Sequence, residues 1–190
     1  LSNRILLTLL TASLAFIASA CAEAPMGSVN AVKARLAAVE VEAGTYASGV
    51  YGNAEDAVVQ LDAELEVQAQ SFALFRDYER TNELIGSVGT VVDAVEEAIS
   101  AEKERLRTET GRVVSSIEDE VTTARMSITE IAEDDLPEEQ AMAWGSDLNN
   151  VESSLGETGR LLAGGQLIDA QSEASSALAS AQGVNSGISS

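Results

Sequence analysis

Between Leu84 and Ile128 apolar side chains return every three or four positions. They are Leu84, Val88, Val91, Val95, Ile99, Leu106, Val113, Ile117, Val121, Ala124 and Ile128, with Glu102 and Thr110 as polar interruptions. The steps repeat every eleven residues, about 3.67 per turn, which keeps one stripe on one side of a nearly straight helix. The spacing predicts one helix from Leu84 to Ile131, roughly 70 Å long at about 1.5 Å per residue. Such a stripe must be covered, either by other helices of the chain or by a second copy. Val88, Val91, Val95, Ile99, Leu106, Val113, Ile117, Val121 and Ile128 therefore form the candidate interaction stripe.

The flanking segments carry shorter helical patterns. Val32, Leu36, Val39, Ala43 and Tyr46 step by helical intervals after Ser28, a possible N-cap. Ser48-Gly-Val-Tyr-Gly52 reads as a break, and Asn53 as the cap of a second helix carrying Ala54, Val58, Leu61 and Leu65, with Glu55 and Asp56 in its first turn. The short connection predicts an antiparallel hairpin. Around Ser71–Tyr78 the pattern loosens and aromatics cluster, which predicts a kink or break before the long helix. Glu133-Asp-Asp-Leu-Pro-Glu-Glu139 should end that helix and start another at Pro137. Ala141, Trp144, Leu148, Val151, Leu155 and Leu162 continue a stripe to Gly164-Gly165, a helix stop. A last helix presents Ala170, Ala174, Ala177 and Ala181, small enough for close approach to a neighbour.

These elements make the fold all-α, with antiparallel helical hairpins packed along one long central helix. Two prolines and an Ala-rich composition agree with that. The expected organisation is a signal peptide over 1–20, a tether over 21–27, one elongated helical domain over 28–185 and a flexible tail over 186–190. The formal charge of −20 repels phosphate backbones, so nucleic acid is excluded as a partner. It repels anionic lipid equally, so any membrane attachment must come from elsewhere.

That attachment is suggested at the N-terminus. Arg4 precedes the apolar run Ile5–Ile17, and Ala18-Ser-Ala follows, the features of a secretory signal peptide. The run is shorter than the ~20 residues a spanning helix needs. Cys21 is the sole cysteine and stands directly after the small residues. Ala18-Ser-Ala-Cys21 resembles the lipobox of bacterial lipoproteins, although Ala18 replaces the usual leucine. The resemblance implies a lipidated Cys21 carrying acyl chains of the palmitate kind. Ala22, which is not the aspartate of inner-membrane retention, implies the periplasmic side of the outer membrane.

Val41-Glu-Ala-Gly-Thr-Tyr-Ala47, Ala54, Ala57, Leu61 and Phe75-Arg-Asp-Tyr78 together resemble uncharacterised Ala-rich helical lipoproteins of Gram-negative envelopes. That family usually has Ala-Pro after its tyrosine, where this chain has Ala47-Ser48. Tyr51-Gly-Asn-Ala54, Tyr78-Glu-Arg-Thr81 and Leu167-Ile-Asp-Ala170 also resemble helix starts of tetratricopeptide-like hairpins. Both resemblances bear on fold and location, and neither implies a reaction.

Residues able to carry catalysis are scarce. The chain has no histidine, which removes the usual general base and the histidine-based triads and zinc sites. Glu96/Glu97 and Glu118/Glu120 lie near Arg105, Arg107, Arg112 and Arg125 in helical patterns, an arrangement expected of solvated faces. Gly86-Ser-Val-Gly89 lacks the lysine of a phosphate loop, and the Glu133–Glu139 run lacks calcium-loop spacing. Trp144 fits a core stripe better than a sugar-stacking platform. The sequence thus points to a non-enzymatic protein without cofactor, metal or small-molecule substrate. Its expected role is an envelope spacer or scaffold, held at the membrane by covalent lipid and able to self-associate along the stripe or to hold an envelope protein. The second reading is an adaptor gripping a peptide or protein between its hairpins.

Overall fold

The computed structural model describes residues 23–132 and 137–189. Five α-helices follow in order: α1 Met26–Tyr46, α2 Ser48–Gln70, α3 Glu79–Ala132, α4 Glu138–Ala163 and α5 Leu167–Ile188. A single 3₁₀ turn, Ala73–Phe75, lies between α2 and α3, and no strand occurs among the described residues. The fold is all-α, with hairpins packed on a long helix, as the periodicity predicts. Contacts divide the chain into two compact units, one reaching Ser100 and the other covering Ala101–Ser190, where the sequence suggested one domain over 28–185. α3 is covalently common to both, with Glu79–Ser100 in the first and Ala101–Ala132 in the second.

In the first unit, α1 and α2 bury residues seven apart: Val29, Leu36 and Ala43 on one, Ala54 and Leu61 on the other. Leu84, Val88, Val92, Val95 and Ile99 of α3 complete this core. Alanines meet near the turn (Ala43, Ala47 and Ala54) and larger side chains towards the open end, so the backbones converge where the chain reverses. Three boundaries differ from the sequence reading. α1 begins at Met26 with Pro25 as N-cap, so part of the expected tether is helical and Ser28 lies inside the helix. Proline's fixed φ suits the start of a helix, and its carbonyl accepts the Val29 amide at 3.1 Å. Ser48–Gly52 is helix, and the break shrinks to Ala47. Two glycines there cost about 1 kcal/mol each in helix propensity, but Ala47, Val50 and Tyr51 pack on the core and override it.

In the second unit, Ile117, Val121 and Ala124 of α3 meet Leu148 and Val151 of α4 and Ala174, Ala177, Ala181, Val184 and Ile188 of α5. The four predicted alanines of α5 are all buried, in a run from Leu167 to Ile188 that steps three and four alternately. The expected tail over 186–190 is helical through Ile188, because Ile188 itself is buried in this core. Near the end of α4, Thr158 and Leu161 take the inward positions and Leu162 is half-buried. Gly164-Gly165 stops the helix as predicted. Gly165 adopts φ 76°, its amide bonds to Leu162 O at 3.1 Å, and Gln166 N bonds to Leu161 O at 2.9 Å, the paired arrangement of a Schellman cap.

Candidate functional site

Cys21 and the signal region over 1–20 lie outside the described residues, as does 133–136 of the acidic helix boundary. The structure does place the interaction stripe. Val88, Val95, Ile99, Leu106, Ile117 and Val121 are buried within this chain, and Val113 and Ile128 are half-buried against the second core. Val91 is half-buried and packs against the first core, where its neighbour Val92, outside the stepwise stripe, is fully buried. At ~100° per residue the two valines flank the stripe on opposite sides, Val92 ~40° from Val88 and Val91 ~40° from Val95. The eleven-residue spacing itself holds, through Val95 to Leu106 to Ile117 and Ile99 to Thr110 to Val121. Most of the stripe is therefore core of this chain, with Val91, Val113 and Ile128 only half-covered.

Two hydroxyls interrupt that core. Thr81 and Thr110 are fully buried, and neither Oγ1 finds a hydrogen-bond partner. Thr158, also buried, donates to Ser154 O at 2.9 Å. Sequence reading found Thr110 as an interruption and missed Thr81, which lies eleven residues before Val92.

The carboxylates are arranged for pairing. Arg35 of α1 donates to Asp93 at 2.7 Å and to Glu96 at 3.0 Å on α3, and Lys33 bridges to Asp62 of α2. Arg125 bonds Glu152 at 2.8 Å, linking α3 to α4. Along α3, Arg105 holds Glu102 in a two-point contact at 2.8 Å and also pairs with Glu109. The hydrogen bond from Arg105 lowers the Glu102 pKa, and Arg160 does the same for Glu157 on α4. All these pairs face solvent, where each contributes little. Glu120 departs from the expected solvated face: it is half-buried and bound by Asn185. Among the described residues no group of carboxylates gathers to hold a metal.

Among the described residues, two surface features of the first unit stand out. Between α1 and α2, a shallow groove of about 340 Å³ is lined by Leu36, Tyr51 and Val58 together with Glu40, Glu55 and Lys33. Burial raises the Tyr51 pKa, and Glu40 and Glu55 add to that. The second feature is the segment between α2 and α3. Phe72 and Phe75 are 68% and 79% exposed, with ring centroids 6.1 Å apart. The segment is pinned rather than loose. Arg76 donates to the carbonyls of Ser71 and Ala69, both at 3.2 Å, the Asp77 amide donates to Gln68 Oε1 at 3.0 Å, and the Glu79 amide to Asp77 Oδ1 at 2.9 Å. The aromatic cluster and the break are legible in the sequence, but not that Tyr78 turns inward while both phenylalanines face out.

Trp144 sits half-buried against the second core, beside a shallow depression it shares with Asp147, Asn150 and Ser180. A Cβ on Gly187 would lie 3.5 Å from its indole nitrogen, an ordinary van der Waals contact. Among the described residues, no helix is long and apolar enough to cross a membrane. Compared with known family models, curated protein sequences and solved structures, the chain matches none.

Proposed function

We propose that the chain is a non-enzymatic envelope lipoprotein, tethered through Cys21 to the periplasmic face of the outer membrane and acting there as a spacer or scaffold. The tether reading rests on Arg4, the apolar run Ile5–Ile17 and Ala18-Ser-Ala-Cys21. The scaffold reading rests above all on α3, a 54-residue helix whose apolar stripe is mostly buried within the chain itself. Its outer faces carry mostly paired charges, the property of a support rather than a reaction centre. The absence of histidine from the whole sequence agrees with this.

The test is the mass of the N-terminal peptide from protein purified out of membranes, combined with separation of inner from outer membranes. A diacylglyceryl thioether on Cys21 in the outer-membrane fraction is expected, and Cys21→Ser should leave the protein outside that fraction. A free Cys21 thiol, or retention of Cys21→Ser in the outer membrane, would count against the anchor.

The adaptor reading keeps one observation in its favour, the apolar groove beside Tyr51 lined in part by Glu40 and Glu55. It suits a basic amphipathic peptide. Loss of a crosslinked envelope partner on Tyr51→Ala, with an unchanged helix signal, would favour adaptor over scaffold.

A further inference from the structure

We infer that the Phe72–Phe75 turn is a second membrane contact, laying its two rings into the zwitterionic lipid surface to which Cys21 is tethered. This rests on the lipoprotein reading, and the geometry adds three independent points. The first is position. α1 and α2 are joined through Ala47 alone, and Lys33 meets Asp62, so the hairpin is antiparallel and the end of α2 returns to the start of α1. The turn and Met26, itself 47% exposed, therefore share one end of the hairpin. Cys21 precedes Met26 by five residues, a span of at most about 17 Å when extended. A lipid held at Cys21 thus keeps this end of the hairpin near the headgroups.

The second point is charge. In a chain of net charge −20, positions 67–75 and 24–32 contain no ionisable side chain. Arg80 and Glu83, near the start of α3, pair with each other at 2.9 Å. The opposite end of the hairpin, around Ala47, is uncharged too, but its Val50 and Tyr51 are half-buried against the core and present no exposed aromatic pair. Phe72–Phe75 is uncharged, and Arg76, Asp77 and Glu79, which follow it, sum to only −1, so its two rings can enter a neutral interface that the acidic faces of the helices cannot.

The third point is construction. A turn under no demand could let its rings fold back, yet four hydrogen bonds from Arg76, Asp77 and Glu79 fix the backbone with both rings outward. Two neighbouring rings act as one apolar wedge. The acyl chains on Cys21 hold the protein at the bilayer, and further apolar insertion adds to that hold. The wedge would also fix which end of the hairpin faces the membrane.

The sole cysteine permits a test that does not depend on natural acylation. Residues 22–190 contain every residue of both cores, so the 21–190 chain can be coupled through Cys21 to phosphatidylcholine vesicles carrying a maleimide lipid. Phe75→Trp in a Trp144→Phe background supplies the only indole. Its emission should shift to the blue and fall at least twofold when the vesicles contain bromine-labelled acyl chains. Val59→Trp in the same background, at an exposed position midway along α2, should show neither effect. Circular dichroism must match the parent for both variants. Equal emission from the two positions overturns the inference, as does a blue shift at position 75 that appears only after envelope proteins are added and is insensitive to bromine, which would give the turn to a protein partner. The mass of the natural N-terminal peptide decides the anchor separately, so failure of the turn and failure of the lipoprotein reading are distinct results.

Discussion

Asn185 of α5 donates its side-chain amide to the main-chain carbonyl of Glu120 on α3 at 3.0 Å, and to the Glu120 carboxylate as well. One side chain thus serves two acceptors on a neighbouring helix in a half-buried setting. It also ties down the end of α5, in a segment whose small polar residues read as a fraying tail. A hydrogen bond to a charged acceptor contributes more than a neutral one, by roughly a factor of two. Asn185→Ala should therefore cost about 1–2 kcal/mol, read as a lower denaturant midpoint, with the last turn of α5 losing amide protection. An unchanged midpoint would mean that the contact is not formed in solution.

The unpartnered hydroxyls at Thr81 and Thr110 predict the opposite sign. A buried polar group without a partner carries its desolvation cost uncompensated, about 1–3 kcal/mol. Thr→Val keeps the shape and β-branching and removes that cost. Thr110→Val and Thr81→Val should each stabilise the protein by about 1 kcal/mol, measured by urea unfolding. Destabilisation by either would show that the hydroxyl has a partner such as buried water.

The register of α3 is open to a direct comparison. Val92 is fully buried and Val91 partly exposed, so Val92→Ala should cost about 2 kcal/mol and Val91→Ala under about 1. The reverse order in thermal melts would mean that Val91 lies deeper in the core than Val92.

Gly165, at φ 76°, occupies a backbone region that L side chains rarely adopt, and no atom obstructs a Cβ there. Gly165→Ala should cost about 1 kcal/mol through conformation alone, with no change in packing. A neutral melt would indicate that the α4–α5 turn relaxes to another form.

Charge gives the chain a pH and salt signature. The lowered pKa of Glu102 and of Glu157 means that their pairing with arginine stabilises the folded state above the unfolded carboxylate value, near pH 4.3, and is lost as pH falls below it. Self-repulsion from a net charge of −20 acts first, and it eases as pH falls from 7 towards 5 or as salt is added. The melting temperature should rise from pH 7 to pH 5, rise with sodium chloride at pH 7, and fall below about pH 4. A melting temperature that drops with salt at pH 7 would show that the surface pairs outweigh the repulsion.

Much of this fold could be read along the chain. The eleven-residue period of α3, the four alanines of α5, the Gly164-Gly165 stop and the break around Ser71–Tyr78 depend on local spacing and backbone chemistry, which a sequence states directly. Helix ends were harder. Ser48–Gly52 looks like a loop because glycine and serine favour one, and Asn185–Ile188 looks like a frayed tail for the same reason. Both are helical because Tyr51 and Ile188 find cores made by residues distant in sequence, whose burial outweighs a weak local preference. Packing alone likewise decided that the stripe of α3 is mostly covered from within, that Thr81 and Thr110 are sealed in it, and that Phe72 and Phe75 stand outside. Periodicity states which side chains share a face. It cannot state what lies opposite that face, because the answer belongs to other segments brought close only by folding.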